Sequence, residues 1–325
     1  MKRLGFIARC DLGGLGIESR AFVKHLKPEK VMVVLVGNFE QHPQDFPKAT
    51  FVHGSPTDAD LRAFLADVDV LFAIETPYNM KAFEIAREMG VKTVLRMNYE
   101  WFNARTLRPD VLINPVDWHT PPGAIVLPFP IDTEHFEFRL RQKAHTFVHI
   151  AGHQAGFDRN GTDLLFQAIP LMKTKPRIII YSQLPLAYRS NWLEHHPNVE
   201  IREGDLADNR DFYADADVLI LPRRYAGQSL PMLEALACGV VPVMTDMAPQ
   251  NAILPREQLI ETKRTLSVHI INDVEYADVD PQKVADKMDE LYDQPIWQIS
   301  QKSRRTANTL SWTALLPRYQ EILRR

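Results

Sequence analysis

One glutamate stands alone in the apolar run "RRYAGQSLPMLEALACGVVPV", residues 223–243. On a helical wheel, Leu230, Met232, Leu233, Ala235, Leu236, Ala237 and Cys238 leave no polar face around Glu234. A helix that is apolar all round is a buried helix, and a buried carboxylate is costly unless donors reach it. Two sources of donors are open at this level. One is a ligand, for example the vicinal hydroxyls of a ribose; the other is an internal arginine such as Arg223 or Arg224. Ser229 reads as the N-cap, Pro231 fits the first turn, and Gly239 ends the helix. The backbone N–H groups of Gly227, Gln228 and Ser229 would point out of the helix start, a setting suited to phosphate.

Other chemistry-bearing residues lie at strand ends. "HIAGHQAGFDRNGTDLLFQAI" carries a second turn into a helix, with Arg159 placed to offer a fork of donors to a diphosphate. "DLGGLGIES" opens a helix at Gly14 and Gly16, but Ser19 stands where a dinucleotide fingerprint needs a third glycine. No acid closes the second strand, which ends on Asn38. Glu75 and Glu100 follow strands, with Tyr78, Tyr99 and Trp101 nearby, and carboxylates and aromatics suit sugar hydroxyls and rings. His145, His149 and His153 are spaced like metal ligands, yet in a strand the outer two stand roughly 26 Å apart. No metal is expected.

These residues need strands and helices to place them. "RLGFIAR", "VMVVLVG", "VDVLFAI", "VKTVLRM" and "DVLINP" are short apolar runs separated by helical patterns, and "TFVHIAGH", "RIIIYS", "NVEIREG" and "DVLILP" repeat the rhythm. Buried parallel strands with crossover helices look like this. Between them "LPFPIDTEHFEFRLRQK" is proline-punctuated and charged. The expected division is a first domain over 1–130, a linker over 131–145, a second domain over 146–305 and a terminal helix over 306–325. Two doubly wound domains facing each other would set the ligand in the cleft at the carboxyl ends of their strands.

Composition narrows the class. With 45% hydrophobic and 24% charged residues the chain is an ordinary globular protein. The net charge of −3 gives no general pull toward nucleic acid or anionic membrane. Cys10 and Cys238 are read as small core residues of a reducing compartment. No window approaches the ~20 apolar residues needed to span a bilayer, and the start lacks a secretory apolar region. The cytoplasm is the expected location.

The stretch "LPRRYAGQSLPMLEALACGVVPVMTD" resembles the donor-site signature of retaining GT-B glycosyltransferases of the glycosyl transferases group 1 type. That signature runs Glu-Gly-Phe-Gly-Leu-Pro, then Leu-Glu-Ala-Met-Ala-Cys-Gly-x-Pro-Val. The variant "PRRYAGQSLP" is similar to a divergent branch met in phages and bacteria. The resemblance puts the family's ribose-holding glutamate on Glu234 and its sugar-contacting glutamate on Ala226. It puts the diphosphate-gripping Arg and Lys on His153 and Asn160, with Arg159 adjacent. It places the base against Asp205 and Leu206, and it extends the donor site over Gly227, Gln228, Ser229 and Leu230, with Gly14 and Gly16 approaching from the first domain. The histidine that the family often carries in that domain is replaced by Asn98. "LPFPIDTEHF" resembles the family's linker, and "SWTALLPRYQEIL" its last helix, which crosses back to the first domain.

The resemblance implies a metal-independent, retaining hexosyl- or pentosyltransferase that needs no cofactor beyond its nucleotide-diphosphate sugar, with UDP the leading expectation. Glu75, Asn98 and Arg159 are the expected catalytic residues. Tyr78, Tyr99, Glu100 and Trp101 are the expected acceptor contacts. Glycans, proteins and small molecules are candidate acceptors, and a modified base in DNA is a minority option. Two alternatives stay open: a nucleotide-sugar-binding protein without transfer activity, and a nucleotide-sugar epimerase on the same scaffold.

Overall fold

A computed structural model describes residues 2–37, 40–153, 156–186 and 190–324. Asn38 lies outside them. The chain divides into two compact units: Met1–Pro130 with His269–Asn272 and Trp312–Arg325, and Ile131–Val268 with Asp273–Ser311.

The first unit is built on strands β1 (Leu4–Ala8), β2 (Lys30–Leu35), β3 (Thr50–His53), β4 (Val70–Ile74), β5 (Lys92–Arg96), β6 (Val111–Asn114) and β7 (Ile125–Val126). They form one sheet in the order β3-β2-β1-β4-β5-β6-β7, parallel throughout. Helices α1 (Gly14–Leu26), α2 (Asp58–Leu65) and α3 (Ala82–Glu88) belong to this unit. Both β1 and β4 are buried along their whole length, as strands covered on two faces must be. The Thr57–Asp60 capping box starts α2. Helix Trp312–Arg324 is tied in by edge-on ring contacts, Phe22 to Trp312 at 5.3 Å and Phe22 to Tyr319 at 5.3 Å. Strand order reverses between β1 and β4, the point at which open α/β sheets bind ligands.

The second unit repeats the plan. It comprises β8 (Thr146–Gly152), α4 (Thr162–Ala168), β9 (Arg177–Ser182), α5 (Ser190–His195), β10 (Val199–Glu203), β11 (Val218–Leu221), α6 (Leu230–Cys238), β12 (Val241–Thr245) and β13 (Leu259–Ile260). The sheet order is β10-β9-β8-β11-β12-β13. Strands β14 (Arg264–His269) and β15 (Asp273–Asp278) pair separately, before helices α7 (Pro281–Leu291) and α8 (Trp297–Thr309). The core packs Phe147, Ile178, Ile180, Val218, Ile220 and Val243 against Leu164, Leu165 and Met288. Residues 131–145, expected as a linker, pack within this unit: Arg304 donates to the carbonyls of Thr133 and Phe136. The helical tail is in two parts, α8 in the second unit and Trp312–Arg324 in the first.

His149 sits fully buried in the middle of β8. One ring nitrogen lies 2.9 Å from the Ile220 carbonyl and the other 2.9 Å from the Thr162 hydroxyl, joining β8, β11 and the start of α4. Burial pushes its pKa down to about 4, so the ring is neutral. No helix of the described residues is long and apolar enough to cross a membrane.

Candidate functional site

Glu234 lies on α6, where Ser229 accepts a bond from the Met232 N–H and Gly239 ends the helix in the left-handed region. The carboxylate is 3% exposed. Neither arginine meets it. Arg223 donates to the Tyr225 carbonyl, and Arg224 pairs with Asp158 at 3.3 Å. The donors are uncharged instead: Asn209 Nδ2 at 2.6 Å from Oε1, and the Tyr213 hydroxyl at 2.7 Å from Oε2. Burial pushes the Glu234 pKa up to about 7, against the pull of those two bonds. Burial and the neighbouring carboxylate hold the Tyr213 phenol well above its ordinary value, so it is the donor. The alternative of an internal arginine is therefore corrected: an amide and a phenol hold this acid. With one donor on each oxygen, a carboxylate still has acceptor positions to offer.

Arg159 lies in the loop between β8 and α4. Its guanidinium is half-buried, with Nε enclosed and without a hydrogen-bond partner. Among the described residues it forms no salt bridge. A cation left in this state is suited to an anion that comes and goes. Asp158 beside it is committed elsewhere, accepting from the Asp163 N–H at 3.0 Å and the Leu164 N–H at 3.3 Å at the start of α4. Asn160, expected against the diphosphate, donates to the carbonyls of Ile150 and Ala151 and so fastens the loop to the end of β8. His153 is partly exposed after Gly152. Gly161 has φ +74, and a Cβ there would stand 2.2 Å from the Pro222 carbonyl oxygen; only glycine fits.

The loop into α6 is enclosed. Ala226 and Gly227 are buried, Gln228 and Leu230 half-buried, and Ser229 is spent on its cap. Ala226 has φ +98, a strained conformation for a residue with a Cβ. Tyr225 donates from its hydroxyl to the Gly156 carbonyl at 2.7 Å, joining this loop to the Arg159 loop. Asp205 is exposed, accepting from the Gln183 side chain, with Leu206 half-buried next to it.

In the first unit, polar residues gather after β1, β4 and β5. Asn98 Nδ2 donates to Glu75 Oε2 at 2.5 Å. Arg96 donates to Asn98 Oδ1 at 3.1 Å and forms a buried ion pair with Glu18 on α1. Burial pulls the Arg96 pKa down to about 10. Glu75 and Tyr78 both have positive φ, at 60° and 63°. Burial raises the Tyr78 phenol, with Arg9 opposing. Glu100 is buried, with Oε2 unpartnered. Tyr99 stacks on His119 at 4.3 Å, and Trp101 is exposed. Gly14 is exposed at the start of α1. Gly16 is buried, and a Cβ there would stand 1.9 Å from the Asp11 carbonyl oxygen, so only glycine fits.

Sequence reasoning did not single out Asn209, Tyr213, Glu18 or Arg96. Arg96, a charge inside the strand-like run "VKTVLRM", was the one available signal. Among the described residues no group of three or more His, Cys, Asp or Glu could hold a metal ion.

Two parallel-sheet α/β units, each with doubly wound strand order, give the GT-B fold. Residues 144–294 match the family model described as glycosyl transferases group 1. Three solved structures resemble it over nearly their whole lengths. Anabaena Alr3699/HepE in complex with UDP has a TM-score of 0.66 and 14% identity, over 99% of each chain. Sucrose-phosphate synthase from Thermosynechococcus elongatus has 0.67 and 13%, over 100% of this chain and 98% of that one. An alpha-glucosyltransferase in complex with UDP and a 13-mer DNA containing an HMU base has 0.62 and 12%, over 100% of both. At these identities the likeness is one of fold. A search among curated proteins gives no match.

Proposed function

We propose that this chain is a glycosyltransferase that uses a UDP-sugar as donor and transfers the sugar with retention to a hydroxyl-bearing acceptor. The observation that carries the reading is the half-buried Arg159 guanidinium, without an anionic partner among the described residues, inside the stretch that matches group 1. UDP is favoured because HepE and the alpha-glucosyltransferase were each solved with it. Arg159 and the N–H groups of 227–229 take the diphosphate, Glu234 takes the ribose hydroxyls, and the backbone at Asp205 and Leu206 meets the base.

Charge that develops on the departing diphosphate is stabilised by donors already fixed in place, so no reorganisation is needed at the moment of reaction. The bond from the anomeric carbon to phosphate breaks as the bond to the acceptor oxygen forms on the same face, and the acceptor's proton passes to the departing diphosphate oxygen. In the first unit Glu75, held by Asn98, receives an acceptor hydroxyl, and Tyr78, Tyr99, Glu100 and Trp101 form the wall around it. A net charge of −3 argues against an acceptor held by tracking duplex phosphates.

One observation favours a second reading, a nucleotide-sugar-binding protein without turnover: Asn160 is occupied by backbone carbonyls and offers the diphosphate no cation. Thermal shift against UDP, GDP, ADP and TDP, followed by NMR of products from the matching nucleotide sugar, separates the two. Stabilisation by UDP with an α-configured product from an α-configured donor supports transfer. Stabilisation without product supports binding alone, and no stabilisation by any nucleotide removes both.

A further inference from the structure

We propose that His135 and Asn209 are positioning residues that set the chain's preference for a ribonucleotide, acting through Glu234. The inference rests on the reading of Glu234 as the ribose acceptor and adds two residues to it. Glu234 is held on both sides, but the two donors differ in kind. Tyr213 is fully buried, and its hydroxyl donates to Glu234 Oε2 at 2.7 Å, with the Pro231 carbonyl farther off at 3.3 Å. Asn209 is an amide whose two ends are nearly isosteric and whose flip is decided by its partners.

The partner at the far end is His135. Its Nε2 lies 3.2 Å from Asn209 Oδ1, and 3.4 Å from Asp208 Oδ1. Asp208 is itself held by Arg210 Nε at 2.7 Å and accepts from the Arg210 backbone N–H at 2.9 Å. An N–H on His135 Nε2 therefore occupies the Asn209 carbonyl oxygen and turns Nδ2 toward Glu234 Oε1, where it stands at 2.6 Å. Without that N–H, the Asn209 carbonyl oxygen loses its partner and the bond to Glu234 Oε1 alone holds the orientation. Reversed, it would set a carbonyl oxygen against a carboxylate.

The consequence falls on the nucleotide. Asn209 and Tyr213 each take one acceptor position, so the positions left for a ribose are set by where the two donors hold the carboxylate. A sugar that lacks a hydroxyl leaves such an acceptor unpaired, and sites built on a hydroxyl reject its absence strongly. His135 is half-exposed and lies 74 residues from Asn209, so it can be changed with little disturbance to the core.

The test is calorimetric titration of UDP, 2′-deoxy-UDP and 3′-deoxy-UDP into the wild type, His135→Phe, His135→Gln and Asn209→Ala. Expected is a wild type that prefers UDP to at least one deoxy analogue by about tenfold or more. His135→Phe and Asn209→Ala should lose most of that preference by weakening UDP alone. His135→Gln, which keeps a donor, should restore it. A role in folding would weaken every nucleotide equally. Equal losses for UDP and its deoxy analogues, or an unchanged preference in His135→Phe, overturn the proposal. If UDP fails to bind the wild type at all, the donor reading itself is at fault. UDP binding that requires Glu234 but ignores His135 overturns only the present inference.

Discussion

Replacing Glu234 with glutamine should change how the fold responds to pH. In the native protein its pKa stands near 7, against an ordinary 4.5, because burial disfavours the charge. A raised carboxyl pKa favours folding while the group is protonated. That stability is fully present below pH 4.5 and is lost as pH rises toward 7. At about 1.4 kcal/mol per pKa unit the loss is about 3 kcal/mol. His149 works in the opposite direction. Its pKa falls from 6.5 to about 4, so its contribution is present above pH 6.5 and is lost as pH falls toward 4, again by about 3 kcal/mol. Between pH 4.5 and 6.5 the two slopes oppose each other in the same unit. Glutamine removes only the first. Urea unfolding followed by tryptophan fluorescence, at pH 4.5, 5.5, 6.5 and 7.5, should show the Glu234→Gln protein gaining about 3 kcal/mol on the wild type from the lowest pH to the highest. A constant offset, whichever its sign, refutes the reasoning, because Glu234 would then carry the same charge when folded and unfolded.

Arg96→Leu should destabilise by about 3–5 kcal/mol in chemical denaturation, because it strands Glu18 as a buried charge, and Arg96→Leu with Glu18→Leu should recover much of that loss. Ala226→Gly should raise stability by up to about 1 kcal/mol, since φ +98 suits glycine, and thermal unfolding reads it directly. Gly161→Ala should cost at least about 1–3 kcal/mol, as a Cβ cannot share space with the Pro222 carbonyl oxygen at 2.2 Å. The same variant should weaken UDP binding by displacing Arg159, a change that titration calorimetry detects.

What could be read from the chain depended on whether a signal was local. Strands β1, β4, β5, β8 and β11 are buried runs of branched and aromatic residues, and they stand out. The edge strand Thr50–His53 and β14 are largely exposed, and β15 mixes buried and half-buried positions with no apolar run to mark it. Glu234 was legible as a buried acid because α6 has no polar face. Its partners were not, since Asn209 and Tyr213 sit in a short polar turn whose reach toward α6 depends on how the sheet folds. Arg96 likewise meets Glu18 across 78 positions. Gly16 was legible as a loop glycine, whereas the close approach of the Asp11 carbonyl oxygen that requires it was not. Local spacing fixes which residues share a loop, and only the tertiary fold decides which charges find each other.

The most direct measurement is calorimetric titration of UDP into the wild type and into Glu234→Ala. Binding to the first, weakened tenfold or more in the second at unchanged folding, is the expected result. Equal affinity for the two proteins would contradict a ribose held by this acid, and no binding to either would contradict a UDP-sugar donor altogether.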